Sequence, residues 1–259
     1  MKIGTNWSEN RELSVLKEII SLRKVDFIEI LIDNFLQCTP DSILGISKGL
    51  PIAFHIMNSK YMHRSKQDLE SIGKRIRLLQ KELNPIYISD HVGIFYHNSY
   101  PLPTMGEIDY SSEKDKYFDS VSLWQDIIGE KIYLENFPSI LDENAKLQPD
   151  FFKEMTKKCG NGLLFDISNA VIAQENTGTP FEEWLDIEMN HLHIGGYAET
   201  SLRPSFLVDT HADRISNLSL KYFNKLGTES KDNLTSLSVE RDDNFVLGDW
   251  INDIELCRQ

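Results

Sequence analysis

Short apolar runs recur along the whole chain, and each is followed by a polar turn and then by a stretch with helical spacing. This alternation is typical of β-strand and α-helix units that build a parallel sheet. The pattern predicts eight strands, at residues 2–7, 27–32, 51–57, 86–94, 131–137, 162–167, 191–197 and 234–241.

Amphipathic helices are expected between these strands. The clearest one has apolar residues at spacings of three and four, which places them on one helix face, at Leu69, Ile72, Ile76, Leu79 and Leu83. Acidic residues that follow Ser112 and Pro180 suit the helix dipole and indicate helix starts at those two positions. A closing helix is expected at about residues 246–256.

Eight such units without a break in composition predict one (β/α)8 TIM barrel of the α/β class, with residues 1–259 as a single domain. An open doubly wound sheet would also carry a Gly-rich dinucleotide-binding fingerprint, which this sequence lacks. Residues 95–103 have the composition of an ordinary surface loop.

Composition narrows the function classes. The formal net charge of −13 would repel a phosphate backbone, so we do not expect nucleic-acid binding. The sequence has neither a signal peptide nor a run of ~20 apolar residues, so we expect a cytoplasmic protein without membrane contact. Three widely spaced cysteines, Cys38, Cys159 and Cys257, argue against a disulfide framework or a thiolate metal site.

Polar side chains cluster where the predicted strands end, and in a barrel those ends face one cavity. The third to eighth strands, with the loop after the seventh, contribute His55, His91, Glu135, Asp166, Asn169, His193, Asp209, His211 and Glu240. Several buried carboxylates would be costly together without neutralising cations, and no run of Lys or Arg is placed to supply them. Imidazole and carboxylate without thiolate suit iron, manganese or zinc, and the number of ligands implies two or three ions.

Two further expectations concern single strands. On the seventh strand we expect His193 to face the lumen, since Gly195 and Gly196 indicate close packing at the rim, and His191 to point toward the helices. Asp33 and Asn34 end the second strand at the same rim and are candidates for substrate contact.

The motifs at these strand ends resemble those of the multinuclear non-haem iron-dependent oxidases, in the same order and over essentially the whole barrel. They are Phe54-His55, Ser89-Asp90-His91, Leu134-Glu135-Asn136, Phe165-Asp166, Ser168-Asn169, His193-Ile194-Gly195-Gly196, Asp209-Thr210-His211 and Val239-Glu240-Arg241. Longer stretches, at residues 27–35, 54–61 and 106–110, are similar to the B-subunit branch from methanobactin biosynthesis. Tyr197, where many family members have histidine, also favours that branch.

The resemblance implies a barrel with two or three iron ions, in mixed Fe(II) and Fe(III) states. It implies a heterodimer with a smaller partner of the methanobactin C-subunit type, and a ribosomally made precursor peptide as substrate. The implied reaction uses O2 to remove four electrons from a peptidyl cysteine, giving an oxazolone ring and a thioamide for a copper chelator. The nine strand-end residues above are the implied iron ligands, and Asp209 and Glu240 are further expected to be essential for catalysis.

Other functions stay open on the sequence. A zinc- or manganese-dependent barrel, resembling xylose isomerase or endonuclease IV, uses the same rim and similar ligands without O2. A non-catalytic scaffold that binds the precursor peptide and its partner subunit is a second alternative. The same chemistry on a different peptide is a third.

Overall fold

Eight parallel strands close into a barrel in the computed structural model, which describes residues 1–112, 114–229 and 233–258. Each strand pairs with its neighbours in the chain, and the last strand pairs with the first, so the sheet has no free edge. The strands are β1 (Lys2–Trp7), β2 (Phe27–Leu31), β3 (Ile52–His55), β4 (Ile88–His91), β5 (Ile132–Glu135), β6 (Gly162–Asp166), β7 (Met189–Ile194) and β8 (Ser236–Val239). The predicted (β/α)8 TIM-barrel fold is therefore confirmed.

Helices cover the outside of this barrel. They are α1 (Leu13–Ser21), α2 (Pro40–Ser47), α3 (Lys66–Leu83), α4 (Lys114–Ile128), α5 (Asp142–Cys159), α6 (Ile167–Thr177), α7 (Asn217–Glu229) and α8 (Leu247–Leu256). Helix α3 buries Leu69, Ile76, Leu79 and Leu83 as its spacing predicts. The hydroxyl of Ser65 accepts a hydrogen bond from the amide of Asp68, which caps its first turn.

The helix starts were predicted with mixed success. Helix α4 begins at Lys114, close to the predicted start at Ser112, although Glu113 lies outside the described residues. The helix predicted after Pro180 is wrong, because only one 3-10 turn forms, at Phe181–Trp184. Phe181 and Trp184 both pack against Phe165, and strand β7 begins soon afterwards, so the chain has no length for a longer helix.

Residues that follow β4 and β7 form two antiparallel hairpins outside the barrel sheet. The first hairpin joins Ile94–His97 to Tyr100–Gly106, and the second joins Tyr197–Glu199 to Leu207–Asp209. The sequence pattern predicted a fourth strand that ends at Ile94 and a loop at residues 95–103. Both predictions are wrong, because the barrel strand ends at His91 and residues 94–106 form the first hairpin. Alternating apolar residues predict a strand but do not identify its partner, which here is the neighbouring hairpin strand.

The lower half of the barrel lumen is filled by aromatic rings. His191 lies with its ring centroid 4.4 Å from that of Tyr87 and 4.5 Å from that of Tyr133, and its Nδ1 is 2.8 Å from Ser236 Oγ. The expectation that His191 points toward the helices is therefore wrong. Residues two apart on a strand face the same side, so His191 lies in the lumen one layer below His193.

Two expectations from the composition concern the state of the cysteines and the presence of membrane-spanning helices. All three cysteines are free thiols, with Cys38 exposed and Cys257 buried. Among the residues that the structure describes, no helix combines the length and apolarity needed to cross a bilayer.

Two glycines allow a direct test of barrel packing. A Cβ at Gly4, on β1, would lie 2.4 Å from the buried Phe27 ring, whereas a Cβ at Gly45, in α2, would meet nothing within 4 Å. Overpacking a filled lumen costs ~1–3 kcal/mol or more, while Gly→Ala in a helix gains ~0.5–1 kcal/mol. We expect Gly4→Ala to lower and Gly45→Ala to raise the urea midpoint of unfolding. Equal midpoints for the two variants would contradict the packing described here.

Candidate metal centre

The register of the barrel brings the polar strand ends to one level. His91 on β4 lies directly beside Glu135 on β5, and Asp166 on β6 lies beside His193 on β7. Because residues paired across parallel strands point to the same side, these four side chains all face the lumen near the carboxyl ends of the strands.

Glu135 lies between the two histidines of the third and fourth strands. Its Oε2 is 3.2 Å from His91 Nε2 and 3.6 Å from His55 Nε2. One ligand atom from each of these three residues lies within 4.8 Å of the other two, which is the spacing that one bound ion requires. His55 and Glu135 are buried, and the side chain of His91 is 13% exposed.

A second group shares Glu135 with the first. His193 Nδ1 lies 3.1 Å from Glu240 Oε2 and 3.6 Å from Glu135 Oε1. Asp166 completes this buried group of four residues, in which one ligand atom from each residue lies within 4.8 Å of those from the other three. Asp166 also caps helix α6, where its Oδ1 accepts from the amide of Asn169. The other carboxylate oxygen of Asp166, Oδ2, faces the cluster and forms no hydrogen bond.

The second hairpin adds a third group above Glu240. His211 Nε2 is 2.9 Å from Asp209 Oδ1 and 3.4 Å from Glu240 Oε2. The backbone of His211 is in the left-handed region, with φ 46°, which turns its ring back toward the barrel. Asp209, with 22% of its side chain exposed, is the most open of these carboxylates.

Asn169 lies in the first turn of α6 beside Glu135. Its Nδ2 donates to the backbone oxygen of Asn136 at 3.0 Å and lies 3.4 Å from Glu135 Oε1. Its buried Oδ1 has no hydrogen-bond partner, so the oxygen is free to act as a ligand. The structure therefore brings all nine sequence-predicted ligands into one connected cluster.

Each imidazole of the cluster uses one nitrogen for an outer partner. The four outer contacts join His55 Nδ1 to Ser89 Oγ (2.8 Å), His91 Nδ1 to Ile56 O (3.1 Å), His193 Nε2 to Glu29 Oε1 (2.9 Å) and His211 Nδ1 to Asp242 Oδ2 (3.1 Å). The other nitrogen of each ring faces the carboxylates. Outer hydrogen bonds of this kind fix the tautomer and orientation of metal-binding histidines.

Glu29 and Asp242 belong to this outer layer, and the sequence analysis missed both. Glu29 is 1% exposed and forms a further close group with His55 and His193. The signal for it was present, because a carboxylate in the middle of an apolar strand of a parallel barrel must be buried. Asp242 follows β8 in a polar stretch, where nothing in the sequence distinguishes it from a surface residue.

The negative charges of the carboxylates at the cluster are not balanced by basic side chains. In the part of the chain that the structure describes, no Lys or Arg forms an ion pair with Glu29, Glu135, Asp166, Asp209 or Glu240. Burial raises the pKa of Asp166 well above its ordinary value, and the charge of Glu135 raises it further. Burial opposes protonation of His193, but the carboxylates of Glu240, Glu29 and Glu135 raise its pKa well above normal. Protons thus do the neutralising that cations would otherwise do.

Eight buried polar atoms at the cluster lack a well-oriented hydrogen bond. They are Glu29 Oε2, Glu135 Oε2, Asp166 Oδ2, Asn169 Oδ1, His193 Nδ1, Asp209 Oδ1, His211 Nε2 and Glu240 Oε2. Six of them form carboxylate–imidazole contacts of 2.9–3.2 Å within the cluster. Asp166 Oδ2 and Asn169 Oδ1 have no contact this short, and a buried polar atom without a partner costs about 1–3 kcal/mol, so these two oxygens need a compensating partner. Oxygen and imidazole nitrogen without thiolate form a donor set that fits iron, manganese or zinc ions.

The two candidate substrate contacts have structural partners instead. Asp33 accepts hydrogen bonds from the amides of Met57 and Asn58, at 2.7 and 3.3 Å, and Asn34 donates to Ser8 O at 2.7 Å. Neither side chain lines the cavity above the cluster, although Met57, Asn58 and Ser8 do. Substrate contact by Asp33 and Asn34 stays a prediction.

A cavity of about 570 Å³ opens above the cluster. One wall is apolar and comes from the first hairpin, with Phe95, Leu102, Pro103 and Met105, and from Phe137 and Pro138 after β5. Cluster residues His55, His91, Glu135, Asn169, Asp209, His211 and Glu240 form its floor. The cavity therefore exposes the cluster to a ligand and offers it apolar surface on one side.

Solved structures with the same fold include several sugar-converting enzymes. The chain is similar to 3-keto-D-glucoside 4-epimerase from E. coli, with a TM-score of 0.63, 15% identity, and coverage of 100% of this chain and 99% of that one. A D-psicose 3-epimerase gives a TM-score of 0.59 at 11% identity, over 99% of this chain and 90% of that one. At these identities the likeness shows the TIM-barrel fold alone.

Sequence comparison is more specific. The chain is 26% identical to a UPF0276 protein from Rhizorhabdus wittichii and 25% identical to one from Psychromonas ingrahamii. Both alignments cover 90% of this chain, and 86% and 82% of those proteins. The profile of the RiPP precursor modification enzymes MbnB/TglH/ChrH matches residues 3–253, which includes every strand of the barrel and every member of the cluster. The chain therefore belongs to the MbnB/TglH/ChrH family of RiPP precursor modification enzymes.

Proposed function

We propose that this chain is a multinuclear iron-dependent oxidase of precursor peptides. With a smaller partner subunit of the methanobactin C-subunit type, it would use O2 to convert a peptidyl cysteine to an oxazolone and a thioamide. The observation that carries the proposal is the buried cluster of imidazole and carboxylate groups at the mouth of the barrel, in a chain whose family modifies peptides.

Three overlapping positions for iron fit these side chains. One is bounded by His55, His91 and Glu135, and a second by Glu135, Asp166, His193 and Glu240. The third lies at Asp209 and His211, where Glu240 is shared with the second, and Asn169 adds an amide oxygen beside Glu135. Glu135 and Glu240 each face two of the three positions, so each would help to hold iron at both.

Bound iron would supply a Lewis acid for the cysteine thiolate, a binding position for O2 and an acceptor for electrons. The remaining roles, which are to orient the ligands and to admit the substrate, belong to the protein's own side chains. The outer partners of the four histidines hold each imidazole so that its free nitrogen faces the cluster. Asp209, the most exposed carboxylate among the proposed ligands, lines the cavity through which a substrate would reach the cluster.

The apolar wall of the cavity suits a peptide substrate. Phe95, Leu102, Pro103, Met105 and Phe137 provide apolar surface, which packs against side chains and α-carbons of a peptide. The sugar epimerases among the structural neighbours share the barrel, but the family match is to peptide-modifying enzymes.

Metal content is the first test of the proposal. Protein purified without oxygen and loaded with Fe(II) should contain two or more iron ions per chain by elemental analysis, because the ligand atoms exceed the needs of one ion. Stoichiometric zinc or manganese that iron does not replace would contradict the iron assignment and favour a hydrolytic or isomerising barrel.

Removing a cluster carboxylate tests both binding and turnover. Asp209→Ala and Glu240→Ala should each lower the iron content and abolish oxygen consumption and the mass change of the peptide product, since each removes a proposed ligand. Glu183→Ala, at an exposed acidic residue of the 3-10 turn, is the control and should keep both properties. Wild-type turnover by either cluster variant would rule out the assigned roles.

Glu29 provides a test of the outer layer. Its carboxylate accepts a hydrogen bond from His193 Nε2. Glu29→Gln should therefore weaken iron binding by roughly 10- to 100-fold, which is the usual effect of mutating an outer partner of a metal-binding histidine. The matched control is Glu12→Gln, because Glu12 is equally buried but accepts from the amides of Ser8 and Glu9. Anaerobic iron titration measures the difference, and equal affinities in the two variants would contradict the role of Glu29.

A further inference from the structure

The cavity above the cluster has one lysine in its lining, besides many acidic groups and the histidines of the cluster. Carboxylates of Glu29, Glu135, Asp209, Glu240 and Asp242 line it, and of the lysines and arginines that the structure describes only Lys60 does. Away from the cluster itself, Lys60 is therefore the place in this cavity where an anionic group of a ligand would be favoured rather than repelled.

Lys60 is held in place without an ionic partner. Its Nζ lies 5.0 Å from the centroid of the Phe95 ring and 5.6 Å from that of Tyr96, both on the first hairpin. Among the described residues it forms no ion pair with a carboxylate and its ammonium donates no hydrogen bond. Cation–π contacts orient an ammonium but leave its N–H groups without acceptors.

The backbone around Lys60 is also fixed. Lys60 has φ 51°, and its carbonyl oxygen accepts from the amides of His63 and Arg64 at 2.8 and 3.0 Å. His63 in turn accepts from the amide of Phe95 at 3.1 Å, which ties this turn to the hairpin. Lys60 is half-buried, so binding its ammonium would restrict the side chain less than binding an exposed lysine would.

We propose that Lys60 is a substrate-anchoring residue whose ammonium, held by Phe95 and Tyr96, binds a carboxylate of the precursor peptide. The carboxylate is either an Asp or Glu side chain or the carboxyl terminus of the peptide, and both offer the acceptor oxygens that the ammonium lacks. The proposal rests on the proposed function, because it takes the substrate to be a peptide whose cysteine reaches the cluster. Two attachments, thiol at the cluster and carboxylate at Lys60, would fix which cysteine reacts.

The test uses the full-length, iron-loaded protein without oxygen and a panel of synthetic octapeptides. Each peptide contains one central cysteine among Gly and Ser, with one Asp placed at each other position in turn, and is made as both a free acid and an amide. The amide without Asp is the reference. Calorimetry measures binding to the wild type, to Lys60→Met and Lys60→Arg, and to the control Lys131→Met. Lys131 also lies over a tyrosine ring, that of Tyr133, but outside this cavity.

At least one peptide with a carboxylate should bind the wild type roughly 5- to 10-fold more tightly than the reference, as a partly buried ion pair does. Lys60→Met should lose this preference, Lys60→Arg should retain it, and Lys131→Met should equal the wild type. A preference for an Asp position identifies a side-chain carboxylate, and a preference for the free acid identifies the terminus. No preference in the wild type, or an unchanged preference in Lys60→Met, would overturn the proposal.

Oxygen consumption by the same proteins separates this inference from the proposed function. Wild-type oxidation of the peptides with an unchanged KM in Lys60→Met would refute the anchoring role and leave the oxidase function standing. Absence of oxidation by fully iron-loaded wild type together with its partner subunit, with the carboxylate preference intact, would refute the oxidase function alone.

Discussion

Five carboxylates, four of them buried, lie at the mouth of one barrel without an arginine or lysine paired to any of them in the described chain, and this constraint governs the rest of the structure. Parallel strands that close into a cylinder point their carboxyl ends at one place, so the fold concentrates charge there. The free energy of that concentration is favourable only if something positive is bound, whether protons on His193 and His211 or metal ions. Folding is therefore coupled to proton binding at this cluster, and to any metal ion that takes the place of those protons.

The same barrel serves very different chemistry in its structural neighbours. The epimerases share strand order and helix placement with this chain, yet identity to them is at most 15% in the pairs compared above. Two hairpins at the rim stand outside the barrel sheet of this chain. The second hairpin supplies Asp209 and leads into His211, and the first supplies the apolar wall of the cavity. The cluster and its cavity are therefore built from these hairpins as well as from the barrel strands.

The sequence predicted most of the cluster because barrel geometry converts strand ends into neighbours. His55, His91 and Glu135 each end an apolar run, so their convergence followed from the fold class. Glu29 was missed because it lies inside a run rather than at its end, and His191 was misplaced because the period of two was applied with the wrong parity. The partner of the strand that begins at Ile94 was not predictable, since long-range pairing leaves no signal in local periodicity.

The aromatic layer beneath the cluster limits the routes by which a ligand can reach it. Phe27, Tyr87 and His191 are nearly inaccessible and fill the barrel below the ligands, so the lumen is closed on its amino-terminal side. Among the described residues, the open route to the cluster is thus the cavity beside the first hairpin. Ligands that enter and leave the cluster share this opening, so a large bound ligand would close it to smaller molecules.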